Sequence, residues 1–84
     1  MAYKILYKAS VERDLKSLSK DEAKRVLAKV EKALRENPDK GEPLKGIFQG
    51  LYRYRVGDYR VIYAKTTEGV LVLRIGHRRD VYKK

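Results

Sequence analysis

The side chains best placed to do chemistry are arginines. Arg53, Arg55 and Arg60 lie in the stretch Leu51-Tyr52-Arg53-Tyr54-Arg55-Val56-Gly57-Asp58-Tyr59-Arg60-Val61-Ile62-Tyr63. Gly57-Asp58 suits a two-residue hairpin turn, because glycine takes positive φ at the first central position without a Cβ clash. That turn sets Val56 opposite Tyr59, Arg55 opposite Arg60, Tyr54 opposite Val61 and Arg53 opposite Ile62. Side chains alternate between faces along a strand, so Tyr52, Tyr54, Val56, Tyr59, Val61 and Tyr63 share one face and the three arginines share the other. Like charges held together on a ribbon repel. An arginine face of this kind is therefore destabilising unless it meets an anion, and planar guanidinium forks match phosphate oxygens.

Further candidates extend the set. Arg74 and Arg78 follow on the next strand, Arg79 adjoins Arg78, and Lys45 precedes the ribbon. His77 is the one histidine, an imidazole able in general to serve as an acid or a base. Its position at the end of the last strand leans toward the core side, so it is read first as structural and second as an acid or base. Tyr82 lies in a basic tail without an evident core partner, and on pattern alone it is as readily an ordinary surface tyrosine. A single histidine, no cysteine and no carboxylate cluster leave no basis for a metal centre. No Ser-His-Asp set, glycine-rich phosphate loop or acid pair is present either.

These residues need elements to hold them. Tyr3, Ile5 and Tyr7 alternate with Lys4, Leu6 and Lys8, predicting an N-terminal strand with one mostly buried face. Ser10 is a plausible N-cap for a short helix to about Ser17, with Val11, Leu15 and Leu18 as its apolar stripe. Ser19-Lys20-Asp21-Glu22 forms a capping box, and a second helix runs to about Glu36 on Ala23, Val26, Leu27, Val30, Ala33 and Leu34. Asn37-Pro38 ends it. Asp39 to Gly50 reads as a loop in which Leu44, Ile47 and Phe48 anchor to the core. A three-residue loop, Thr67-Glu68-Gly69, then leads into the last strand, Val70 to Ile75. That register sets Tyr63 opposite Leu73, Ile62 opposite Arg74 and Val61 opposite Ile75. Leu71, Leu73 and Ile75 then join the tyrosine face, and Arg74 joins the arginines. A shift by one residue would reverse these assignments and bury Arg74. The expected fold is α+β in the order β-α-α-β-β-β: an αα-hairpin on one face of a small twisted sheet that ends in a three-stranded antiparallel meander. The helices need an apolar partner, so the tyrosines are read as core rather than as stacking platforms for bases.

The whole chain of 84 residues is expected to form one domain, 1–84. Its net charge of +10 is uneven. Residues 1–44 hold eleven Lys/Arg against eight Asp/Glu, in the mixed pattern of solvated helices, whereas 45–84 hold ten against three. An excess concentrated in the strand-rich half points to a polyanion, nucleic acid above all, with solubility or an acidic protein partner as the plainer reading. The absence of cysteine fits a cytoplasmic location, no run is long enough for a membrane span, and no signal-peptide core is visible.

The order of elements, with Leu44-Lys45-Gly46 before the Gly-Asp-Tyr-Arg hairpin and Ile75-Gly76-His77-Arg78-Arg79-Asp80-Val81-Tyr82 after it, resembles the RelE/ParE toxins of prokaryotic toxin–antitoxin pairs over the whole length. The RelE branch cleaves mRNA in the ribosomal A site and the ParE branch poisons DNA gyrase. The resemblance implies catalytic roles for Arg60 and Arg78 and a functional role for Tyr82. Arg53 and Arg55 fall where some members carry lysines, and with Arg74, Lys45 and Arg79 they are expected to hold RNA phosphate. The implied reaction needs no metal or other cofactor: the ribose 2′-OH attacks the adjacent phosphate, leaving a 2′,3′-cyclic phosphate and a free 5′-OH. It requires a base, a cationic cradle for the phosphorane, and an acid for the leaving oxygen. Tyr82 is the candidate base and the acid is unassigned. The implied partners are the ribosome, its mRNA and a cognate acidic antitoxin that folds as it binds. A gyrase poison and a plain basic RNA-binding module are the competing expectations.

Overall fold

The computed structural model describes residues 3–77. Within them, strand β1 (Lys4–Tyr7) leads into helix α1 (Ala9–Lys16) and helix α2 (Lys20–Glu36). A very short β2 (Glu42–Pro43) follows, then β3 (Leu51–Val56), β4 (Tyr59–Lys65) and β5 (Gly69–His77). All strands form one sheet in the order β1-β5-β4-β3-β2. The β3–β4–β5 meander is antiparallel, and β1 returns to pair parallel with β5. The α+β architecture expected from sequence is therefore present, with β2 as an unexpected edge strand.

Local chemistry accounts for the element ends. The Ser19 hydroxyl accepts from the Glu22 backbone N–H at 3.2 Å and donates to Glu22 Oε1, closing the expected capping box. Asn37 stops α2 in extended backbone before Pro38. Gly57 has φ +57°, whereas no other kind of residue among those described takes positive φ, which suits a turn with glycine first and Asp58 second. Ser10 departs from expectation. It lies inside the first turn of α1, Lys8 holds the cap position, and the Ser10 hydroxyl instead donates to the Leu73 carbonyl at 2.7 Å.

The core lies between α2 and the sheet. Val26, Val30, Ala33 and Leu34 of α2 are buried with Val11, Val56, Val61, Tyr63, Val70, Val72 and Ile75. Tyr7, Tyr52, Tyr54 and Tyr59 pack half-buried against this cluster, so the tyrosine face is core. Tyr63 donates its hydroxyl to the Pro38 carbonyl and accepts from the Gly41 N–H, which satisfies a polar atom at the base of the core. The loop anchors are corrected: Ile47 is 90% exposed, and Leu44 and Phe48 are only half-buried.

The last strand corrects the expected register. Val61 opposes Ile75 and Ile62 opposes Arg74 as expected, but Tyr63 opposes Val72, and a bulge falls between Ile62 and Tyr63. One extra residue on β5 flips the side-chain parity toward its start. Val70 and Val72 therefore enter the core, while Leu71 and Leu73 are half-buried. Both parities of Val70-Leu71-Val72-Leu73 are apolar, so pattern alone could not separate them.

Candidate anion-binding cleft

The arginine face survives folding, and it is smaller than the sequence suggested. Arg53 pairs with Ile62, and Arg55 stands directly opposite Arg60. Together with Lys40, Glu42 and Tyr54 these three arginines line a cleft of about 190 Å3. No residue of α1 or α2 lines it, because the helices cover the other side of the sheet. The short β2 ends at Pro43 and Glu42, so the outer half of β3 is left open at this edge. That opening is how Lys40, from the turn after α2, reaches the same cleft as two strands.

The electrostatics within the cleft are unequal. Arg53 Nη2 donates to Glu42 Oε2 at 3.1 Å, a pair that partly neutralises it. Arg60 Nη1 is buried and has no hydrogen-bond partner among the described residues. A buried guanidinium N–H without an acceptor is costly, and an oxyanion in the cleft would relieve that cost. Arg55 is exposed beside it. Three delocalised cations here can bind phosphate oxygens and stabilise added negative charge. They cannot exchange protons at neutral pH.

The other expected site residues are distributed differently. Arg74 is not part of the cleft, which is a correction. Its Nε and Nη2 donate to Asp14 of α1 at 2.9 and 3.1 Å, and the Ile75 N–H donates to the same carboxylate at 2.9 Å. β1 pairs with β5 only as far as Val72, so the edge at Ile75 has no strand partner, and α1 lies alongside to receive that N–H. The carboxylate beside Arg74 raises its pKa further still. Lys45 lies in a separate groove with Pro43, Gly50 and Tyr52. His77 opposes Tyr59 and meets its ring edge-on at 6.1 Å, on the helix-covered side of the sheet, as the core-side reading expected. It does not line the arginine cleft. Arg78, Arg79 and Tyr82 lie outside the described residues.

Lys40 and Glu42 carry no signal of this site in the sequence. Lys40 and Glu42 sit in a stretch read as plain loop, and only the pairing of Glu42 with Arg53 reveals that this loop returns to the sheet edge. Strand alternation places Tyr54 on the core face, yet at an open edge its side chain borders both sides.

Comparison with known proteins agrees with this architecture. The family described as the ParE toxin of type II toxin–antitoxin systems, parDE, matches residues 5–82. Toxin RelG of Mycobacterium tuberculosis is 32% identical over a 91-residue alignment that spans both chains completely. Among solved structures, the toxin–antitoxin complex RelBE2 of M. tuberculosis superposes with a TM-score of 0.85 at 29% identity, covering 95% of each chain. The archaeal RelE–RelB complex of Pyrococcus horikoshii gives 0.72 at 31% identity, over 96% of this chain and 100% of that one. The fold of a sheet backed by an αα-hairpin is thus shared with toxins of one kind, and the chain belongs to the RelE/ParE superfamily of type II toxin–antitoxin toxins.

Proposed function

We propose that this toxin is a ribosome-dependent mRNA endonuclease that arrests translation. The observation that carries the reading is the cleft itself: Arg53, Arg55 and Arg60 converge on the side of the sheet left open by the helices, with an unsatisfied buried Arg60 nitrogen among them. In the proposed reaction the 2′-OH loses its proton and attacks the adjacent phosphorus, and the P–O5′ bond breaks. Arg60, with Arg78 from the tail, stabilises the phosphorane, while Arg53 and Arg55 hold the backbone. Lys45, from its separate groove, and Arg79 are proposed as further phosphate contacts. Tyr82 is the candidate base, with a phenol that works as one only when neighbouring cations lower its pKa. Lys40 brings an ammonium to the cleft, a proton donor of the kind the arginines lack. His77, on the helix side, is a weaker candidate for acid or base.

A site this short of proton shuttles acts slowly on free RNA and relies on the ribosome to bend the message into line. The solved relatives are toxin–antitoxin complexes, which supports a cognate acidic antitoxin as the neutralising partner of this strongly basic chain. Primer extension on mRNA from cells expressing the chain tests the reading. Discrete cuts at A-site codons are expected, and intact message under growth arrest would overturn it. The second reading, a gyrase poison, draws support from the ParE description of the matching family. It predicts DNA damage with uncut message.

A further inference from the structure

The arginine cleft is one end of a longer basic path. Lys40 and Tyr54 are shared between that cleft and a neighbouring groove lined by Lys29, Lys32 and Glu36. Lys29 is shared in turn with a third groove that contains Arg25. Arg25, Lys29 and Lys32 are spaced i, i+4 and i+7 on α2, so they form one stripe on the helix surface. Like charges at these spacings destabilise a helix, and solvation alone would be served by interleaved glutamates.

Acidic residues along the path are partly engaged elsewhere. Glu22 accepts from the Tyr59 hydroxyl at 2.8 Å, and Glu42 pairs with Arg53. Glu31, on the same helix, turns away to Tyr7 and Arg35. Among the described residues, none of Arg25, Lys29, Lys32 and Lys40 forms a salt bridge, whereas Lys4, Arg35, Arg53, Lys65 and Arg74 all do.

We propose that Arg25, Lys29, Lys32 and Lys40 form a phosphate-binding track that carries the same RNA strand onward from the arginine cleft across the surface of α2. This rests on the RNA-cleaving reading above and adds to it where the strand runs beyond the scissile phosphate. Charge complementarity to a phosphodiester backbone, and continuity with the cleft, identify the occupant. A short RNA confined to the cleft gains nothing from the track, whereas a longer one does.

The test measures binding of the purified chain to 2′-O-methyl RNA, which cannot be cut, as a dinucleotide and as a twelve-mer at several salt concentrations. For the twelve-mer, the Lys29→Gln/Lys32→Gln variant should show a plot of log affinity against log salt that is shallower by about 1.4, at ~0.7 per single-strand phosphate contact. Its dinucleotide affinity should match that of the parent. Lys16→Gln/Lys20→Gln removes the same charge from surface that lines none of these grooves, and it should retain the parental slope. Equal losses in the two double variants would reduce the effect to net charge and overturn the track. An unchanged slope in Lys29→Gln/Lys32→Gln would overturn it too, while weakened binding by Arg60→Ala in the same assay would leave the cleft reading intact. Loss of affinity for an acidic antitoxin peptide, with RNA binding unaltered, would assign the stripe to protein recognition and also overturn the proposal. No affinity of the parent chain for either RNA would overturn the track, whereas the cleavage reading would still be decided by primer extension.

Discussion

If the proposed cleavage holds, Arg60 is where stability and function conflict. It opposes Arg55 across the hairpin, and its Nη1 is buried without an acceptor among the described residues. Its removal relieves both repulsion and an unmet hydrogen bond, and sacrifices some packing of its apolar stem. Arg60→Ala should therefore leave stability within about 1 kcal/mol of the parent in urea melts. The same change should lower mRNA cleavage ~10²–10³-fold, the usual loss for one well-aimed donor to a developing oxyanion. A fully toxic Arg60→Ala chain would remove that role.

The tyrosines carry a different signature. Burial first, then the Glu31 carboxylate that accepts its hydroxyl, raises the pKa of Tyr7 strongly, and burial raises that of Tyr63. Tyr59 is raised by its hydrogen bond to Glu22. A group that holds its proton more tightly when folded stabilises the fold fully below its unfolded pKa, and loses that contribution as pH rises above it. Stability should fall from about pH 10 upward, the ordinary tyrosine value. Tyr7→Phe should flatten that decline in a series of melts between pH 9 and 12.

At the scale of elements, α1 guards a strand edge. β1 pairs only with Gly69 to Val72 of β5, so beyond that point the β5 edge would be bare. Ser10 and Asp14 of α1 take its next exposed groups, the Leu73 carbonyl and the Ile75 N–H. Asp14→Ala strands a backbone donor and an arginine together. It should cost about 2 kcal/mol, read as a lower urea midpoint at unchanged slope. Gly69 governs the other half of that edge. A Cβ there would collide with the Lys4 carbonyl oxygen, so a methyl group forces β1 and β5 apart. Gly69→Ala should destabilise by about 1–3 kcal/mol and raise amide exchange in β1 before the meander.

For the molecule as a whole, the sheet has two chemically distinct sides. The helices seal the tyrosine and valine side, and the other side and the β3 edge face outward with the arginines. Rigid strands hold the cations together against their repulsion, the preorganisation that the proposed electrostatic catalysis would require. Proton exchange is left underprovided. The purified chain should accordingly cut free mRNA at least ~10²-fold more slowly than message in the ribosomal A site, a difference that a reconstituted translation assay measures directly. Comparable rates on the two substrates would mean that the chain aligns the phosphate unaided.

The hairpin, both helices and the core stripe of α2 were legible in the sequence, because each rests on local chemistry: a turn glycine, a capping serine, a helix-ending proline and apolar residues at helical spacing. So was the convergence of Arg53, Arg55 and Arg60, since strand alternation leaves no other arrangement once the turn is set. Tertiary structure decided the rest. Which of Val70 to Leu73 enter the core turned on a bulge within a run that is apolar in both parities, and the fate of Arg74 on Asp14 approaching from a helix 60 residues earlier. Lys40 and the cations of α2 looked like scattered solubilising charge along the chain. Their alignment with the cleft exists only because α2 lies across the sheet, and no local pattern encodes how a helix is laid against a distant strand edge.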